Sequence, residues 1–167
     1  MLFREYKEYD AKEILKWIDN ERELRLWSAD RYGNYPISPN DINDNYLKCK
    51  KASNFYPFCL EDEGRIVGHI ILRIPEGYKD VIRLGFVIVD KKVRGKGYGL
   101  IIVKEAIKYA KEQLKAKDIS LGVFKNNESA IKCYQSVGFE KVDIIKNAYK
   151  FYDESWDCIE MILNKQL

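Results

Sequence analysis

The densest run of chemistry-bearing residues in this sequence is Asp90-Lys91-Lys92-Val93-Arg94-Gly95-Lys96-Gly97-Tyr98-Gly99. It stands between an apolar stretch ending at Val89 and a helical pattern beginning near Leu100. Glycines at such a turn let the backbone approach a ligand closely. The first N–H groups of a helix have no partners inside it, and with the positive end of the helix dipole they make a cradle for phosphate oxygens. Lys91, Lys92, Arg94 and Lys96 bring positive charge to the same turn. Taken alone, the turn also reads as a solvated basic loop. Two common phosphate motifs do not fit it. A P-loop needs Ser or Thr after Gly-Lys, and Gly95-Lys96 is followed by Gly97; a dinucleotide fingerprint begun at Gly95 and Gly97 needs glycine where Leu100 stands. A second cluster follows at Asn127 to Phe139. Asn127 and Tyr134 are seven positions apart, close to two helical turns, so both project from one face and can touch one extended ligand. Asn127 is equally an N-cap, a role compatible with ligand contact. Gly138-Phe139 reads as a helix stop followed by a core aromatic.

The elements that must hold these clusters are legible in the hydrophobic pattern. A short strand is expected near Phe3 to Tyr6 and one or two short helices within Ala11 to Trp27. An aromatic loop holding Trp27, Tyr32, Tyr35 and Pro36 ends at Ser38-Pro39, an N-cap and first-turn proline for a helix to about Lys50. Strands at Phe55 to Glu61, Arg65 to Ile74 and Val81 to Val89, the first two joined tightly at Glu63-Gly64, form an antiparallel meander. Leu100, Val103, Ile107, Ala110 and Leu114 keep helical spacing, with charges on the other faces. A strand at Ile119 to Phe124, a helix from about Glu128 to Val137, and strands near Val142 to Phe151 and Cys158 to Leu163 complete the chain. The centre is strand, helix, strand, a right-handed parallel crossover. The fold class is therefore α/β: a mixed, mostly antiparallel twisted sheet with helices on both faces.

Composition narrows the function. With 167 residues and 46% hydrophobic content, residues 1–167 read as one domain, with no repeat, low-complexity tract or linker to divide them. A net charge of +3 against 33% charged residues argues against bulk nucleic acid or an anionic membrane as the main partner. No apolar stretch approaches the roughly 20 residues of a membrane helix, and Met1 to Asp10 lacks a signal-peptide core, so a cytoplasmic protein is expected. Cys49, Cys59, Cys133 and Cys158 are scattered without a C-x-x-C pair, fitting reduced thiols and no metal site. His69, the only histidine, lies among Val67, Ile70 and Ile71 and reads as structural.

Arg94-Gly95-Lys96-Gly97-Tyr98-Gly99 resembles the R/Q-x-x-G-x-G/A signature of the GNAT family of acyl-coenzyme A-dependent N-acyltransferases. Asn127 to Phe139 resembles that family's second motif, N-x-x-A-hydrophobic-x-x-Y-x-x-x-G-F. The resemblance runs from about Val67 to Leu163 and implies a GNAT-like fold with acetyl-coenzyme A as cosubstrate and no metal. It places the phosphates on Arg94, Gly95, Lys96, Gly97, Tyr98 and Gly99. The pantetheine arm would lie in a gap where the two parallel strands splay, against Val87, Ile88, Val89 and the Asn127 amide. Direct acetyl transfer to an amine needs a neutral amine, a polarised thioester carbonyl and a proton for the departing thiolate. The expected carbonyl donor is a backbone N–H within Val87 to Val89, and Tyr134 is the expected proton donor, acting by position more than by acidity. Many relatives carry a carboxylate on the strand that here reads Val81-Ile82-Arg83-Leu84-Gly85-Phe86-Val87, which has none. Glu61, Asp62, Glu21, Glu23 or a water chain remain as proton acceptors, with none assigned. Trp27, the aromatic loop, Ser38-Pro39 and the late Asp153 to Asp157 segment resemble more loosely the branch holding ribosomal-protein N-terminal and polyamine acetyltransferases. The expected acceptor is a small-molecule amine, a polyamine or a peptide N-terminus, a second copy of the chain being left open as a partner. Trp27, Tyr32, Tyr35 and Trp156 either wall the acceptor pocket or cap the core. The rival class is a non-catalytic acyl-coenzyme A-binding regulatory module on the same fold.

Overall fold

The computed structural model describes residues 1–51 and 54–164. Its strands are β1 (Leu2–Glu5), β2 (Phe55–Asp62), β3 (Arg65–Arg73), β4 (Val81–Val89), β5 (Asp118–Phe124), β6 (Phe139–Phe151) and β7 (Glu154–Leu163). The helices are α1 (Asp10–Leu15), α2 (Glu21–Ser28), α3 (Pro39–Lys50), α4 (Tyr98–Glu112) and α5 (Glu128–Val137). All seven strands join one sheet in the order β1-β2-β3-β4-β5-β7-β6. Every neighbouring pair is antiparallel except β4 with β5, the pair joined through α4. The mixed sheet with one parallel crossover is the architecture expected from the hydrophobic pattern.

Local signals explain most boundaries. Ser38 caps α3 by accepting from the Asp41 N–H, while the Asp41 carboxylate accepts from the Ser38 N–H at 2.7 Å, a reciprocal capping box ahead of Pro39. The β2–β3 turn has positive φ at both Glu63 and Gly64, the geometry whose twist matches a two-residue hairpin. Gly138 ends α5 in the left-handed region and Phe139 behind it is buried. β6 begins at Phe139 and β7 at Glu154, earlier than the expected Val142 and Cys158, because the long β6–β7 ladder continues through polar residues that carry no alternation signal.

The two faces of the sheet bury separate cores. On one, Ile70, Leu72, Ile82, Leu84 and Leu121 pack against α4 and α5; on the other, Ile71 and Ile88 pack against Ile14, Leu24, Trp27, Ile42 and Tyr46 from the first three helices. The buried stripe of α4 is Ile102, Val103, Ala106, Ile107 and Ala110. Leu100 and Leu114, expected in that stripe, are only half-buried, since Leu100 faces the cleft described below and Leu114 lies beyond the helix end. His69 is 0% exposed, its Nε2 2.7 Å from the Tyr46 hydroxyl, and burial pushes its pKa down to about 3. It is a neutral structural residue. All four cysteines are free thiols. No helix among the described residues is long and apolar enough to cross a membrane.

Candidate active site

β4 and β5 pair through four rungs, Val81↔Asp118 to Leu84↔Leu121, and no rung follows although β4 continues to Val89 and β5 to Phe124. Their C-terminal halves therefore diverge. In a parallel α/β arrangement this crevice beyond the strand ends is where ligands bind. The divergence begins at a bulge. β3 and β4 shift register between the His69 and Ile71 rungs, and Phe86 takes φ +50, a left-handed value that a bulky residue rarely adopts. The Trp27 indole N–H donates to the Phe86 carbonyl at 2.8 Å, and the Arg31 guanidinium lies 5.4 Å from the centre of the Phe86 ring. α2 and the loop after it thus hold the bulge in place.

A cleft of about 690 Å³ opens at this divergence. Its walls are Val87, Ile88 and Val89 of β4, the turn residues Arg94, Gly95, Gly97, Tyr98 and Gly99, and Asn127 and Tyr134 of α5. These sequence-predicted residues come from three separate segments and meet here. Lys96 is exposed and is not part of the lining. Gly95 and Gly97 hold φ +79 and +85, with nothing within 4 Å of where a Cβ would stand, so glycine is required there by backbone conformation and not by crowding. Gly97 caps α4, and the N–H groups of Tyr98, Gly99 and Leu100 precede the first intrahelical donor, that of Ile101, which reaches the Gly97 carbonyl at 3.1 Å. Gly99 faces α5 without crowding, since a Cβ there would make only an ordinary contact, 3.5 Å from the Cys133 sulfur. The Tyr98 hydroxyl donates to Asp62 at 2.6 Å, pinning the start of α4 to the β2–β3 turn.

The basic residues divide between two sides of the turn. Arg94 remains at the cleft, its Nε donating to the Val89 carbonyl at 3.3 Å. Lys91 is ion-paired to Asp19, and Lys91 and Lys92 line a different groove, of about 610 Å³, with Arg4, Asp10 and Glu61. The four cations expected together at one turn are therefore reduced at the cleft to Arg94, joined by Lys132 of α5. Spacing alone could not show that a single 3-10 turn at Lys91–Val93 would rotate two lysines away.

Asn127 is the N-cap of α5, its Oδ1 accepting from the Ala130 N–H at 3.4 Å, and it also lines the cleft. Cap and cleft contact coexist. Tyr134 is 7% exposed, its ring edge-on to Phe139 at 6.1 Å, and its hydroxyl makes no hydrogen bond with a described residue. Burial, and secondarily the Cys133 thiol, push its pKa well above 10, so it is protonated throughout the physiological range.

Of the four carboxylates left open as proton acceptors, Glu61 is taken by Arg4 at 2.7 Å, Asp62 by Tyr98, and Glu21 by Arg25 and Tyr152. Glu23 alone of the four lines the cleft, beside Trp17, Leu26 and Trp27, with one carboxylate oxygen accepting from the Asp19 N–H at 2.7 Å. Trp27 walls the cleft and supports the bulge. Tyr32 and Trp156 are buried, Trp156 among Phe124, Tyr149 and Phe151, and Tyr35 stays outside the cleft lining. Ser129, Lys132 and Ser136 are further lining residues; their spacing of three, then four, along α5 is the signal by which helical periodicity finds them.

The chain compares with known proteins as this geometry suggests. The profile of the Acetyltransferase (GNAT) family matches residues 12–139, and the chain belongs to that family. A probable spermine N(1)-acetyltransferase of Bacillus subtilis subsp. natto is 34% identical over 100 residues, covering 56% of this chain and 66% of its own length. An N-alpha-acetyltransferase of Sulfurisphaera tokodaii is 29% identical over 101 residues, 55% of this chain and 60% of its own. The matched stretch is thus just under two thirds of these relatives. Among solved structures, the spermidine N-acetyltransferase of Vibrio cholerae in complex with CoA and spermine superposes with a TM-score of 0.82 at 18% identity, over 97% of this chain and 94% of that one. The ribosomal-protein-alanine N-acetyltransferase of Brucella melitensis gives 0.77 at 23% identity, over 97% and 98%. At these identities the structural likeness concerns the fold.

Proposed function

We propose that this protein is an acyl-coenzyme A-dependent N-acetyltransferase that passes acetyl from acetyl-coenzyme A directly to a primary amine. One observation carries the reading: the diverging backbone of Val87 to Val89, the α4 N-terminus with its glycine turn, and the Asn127–Tyr134 face of α5 line one continuous cleft. Donor N–H groups at Tyr98, Gly99 and Leu100, with Arg94, suit a diphosphate. The β5-facing side of β4 beyond Leu84 suits an extended amide-bearing arm, with the Asn127 side-chain N–H₂ as a further donor. A β4 N–H near the bulge polarises the thioester carbonyl. The amine nitrogen bonds to that carbon, the carbon–sulfur bond breaks, and the departing thiolate takes the Tyr134 proton. The amine proton leaves to water or Glu23, and solvent returns a proton to Tyr134. A buried phenol is a weaker acid than a free one, but the same dry surroundings raise the proton affinity of the thiolate, so transfer between them stays near balance.

Glu23, which lines the cleft together with Trp17 and Trp27, suits a cationic amine arriving from the α2 side. Spermine, named in one relative, and an α-amine, named in the other, both meet that requirement, as polyamines and peptide N-termini would. The test is thiol release from acetyl-coenzyme A against polyamines, aminoglycosides, amino acids and short peptides. Turnover with one acceptor class supports the reading and names the substrate. Tight coenzyme A binding with no turnover across the panel would favour the non-catalytic module, and absence of coenzyme A binding would refute both.

A further inference from the structure

β7 brings a carboxylate to the root of the β4–β5 gap from outside both motifs. Arg83 sits one rung before the last β4–β5 pair, and its guanidinium donates twice to Glu160 of β7, at 2.6 and 2.7 Å. The two strands are not neighbours, so the side chains must pass over β5. They do so at Gly122, which is paired to Glu160 in register. A Cβ at that position would lie 2.5 Å from Arg83 Nη2 and 3.1 Å from both Glu160 Oε1 and the Cys158 sulfur. The bare backbone of Gly122 is what leaves room for the bridge.

The bridge lies on the face of the sheet opposite α4 and α5, because Ile82, Leu84, Leu121, Val123, Ile159 and Met161, the alternating partners of these residues, pack into the α4 and α5 core. Its side chains are 23% and 21% exposed, dry enough for a bidentate pair to hold its geometry. Arg73 stands directly opposite Arg83 on β3. Burial first, then Arg83 and Arg31, lower the Arg73 pKa, so Arg83 is repelled from its β3 neighbour and drawn to the Glu160 carboxylate across β5. Since β7 is hydrogen-bonded to β5 from Ser120 to Phe124, tying β4 to β7 also ties β4 to β5 at the rung where their own pairing stops.

We propose that the Arg83–Glu160 bridge over Gly122 is a clasp that sets the width of the gap at its root and thereby restricts the acyl chain it admits to acetyl. This rests on the acyl-coenzyme A reading above. Both residues act through strand position, and neither is assigned contact with the thioester.

The test uses calorimetry with coenzyme A and its acetyl, propionyl and butyryl thioesters, on the natural protein, Gly122→Ala and Glu160→Gln. Gly122→Ala keeps both charges and displaces the Arg83 guanidinium, with smaller shifts of the Glu160 carboxylate and the Cys158 sulfur; Glu160→Gln is isosteric and carries the same comparison if the alanine variant does not fold. Because a methylene in a closed apolar site discriminates by about 10-fold or more, the natural protein is expected to prefer acetyl to butyryl by at least about 10-fold, and the variants by less than about 3-fold. Affinity for coenzyme A itself, whose diphosphate is held at the glycine turn and whose arm lies beyond the root of the gap, should stay within about 2-fold. Folded variants that keep the acyl preference, or a natural protein with none, overturn the clasp while leaving the acyltransferase reading intact. A natural protein that binds no coenzyme A overturns that reading itself.

Discussion

Replacing Tyr134 with phenylalanine separates a catalytic hydroxyl from a packing ring. The ring is 7% exposed and edge-on to Phe139, so phenylalanine keeps the apolar contacts. The hydroxyl has no hydrogen bond to a described residue, so its removal strands no buried partner, and the expected stability change is below about 0.5 kcal/mol. The chemical step is a different matter. A positioned general acid contributes about 100-fold to 10,000-fold, equivalent to roughly 3 to 5 kcal/mol of transition-state stabilisation. Tyr134→Phe should therefore lose at least about 100-fold in kcat while its affinity for acetyl-coenzyme A stays within about 3-fold. Steady-state thiol release, calorimetric binding and thermal melting on the same preparation check all three. The acid assignment is refuted if kcat stays within about 5-fold of the natural protein, since a general acid is not dispensable at that level. A parallel fall in melting temperature and binding would instead make Tyr134 a structural residue.

Two further predictions follow from backbone conformation and burial. Gly97→Ala places a side chain at φ +85 with open space around it, so the expected loss is the conformational cost alone, about 1 to 2 kcal/mol, seen as a melting temperature lower by a few degrees. Coenzyme A affinity should fall about 5-fold or more as the α4 N–H groups tilt; Gly99→Ala, with φ outside the left-handed range and only ordinary contacts, should be near neutral for stability, and equal effects of the two would contradict the reasoning. His69 has its pKa lowered from 6.5 to about 3, so the unfolded chain binds its proton first as pH falls. Its contribution is complete above pH 6.5 and declines by about 1.4 kcal/mol per pH unit between there and pH 3. Urea unfolding at pH 7 and pH 5.5 should show a smaller pH slope for His69→Gln than for the natural protein, and identical slopes would exclude a neutral buried His69.

Chain-local features were readable in advance. Gly95 and Gly97 mark a turn before a helix, Ser38-Pro39 begins α3, Gly138 ends α5, and the seven-residue spacing from Asn127 to Tyr134 puts both on the face that lines the cleft, whereas the positive φ of the two glycines shows only in the backbone. Each depends on neighbours within about two helical turns, the range over which backbone propensity and periodicity act. The α4 face was read less well, because the sequence pattern does not say that Leu100 would meet a cleft and not the sheet.

By itself, then, the sequence determined the element order and the parallel crossover, consequences of short-range stereochemistry and hydrophobic periodicity, and it carried the two segments that resemble the family's motifs. The tertiary structure decided which groups meet. Lys91 turns away to Asp19, 72 residues distant, Tyr98 closes on Asp62, and Glu23 is the one of four candidate carboxylates to reach the cleft. The bulge at Phe86 is supported from Trp27, and Arg83 finds Glu160 across a strand to which neither belongs. Such pairings depend on sheet order and register, which place residues far apart in the chain within hydrogen-bond distance; local spacing carries no record of them.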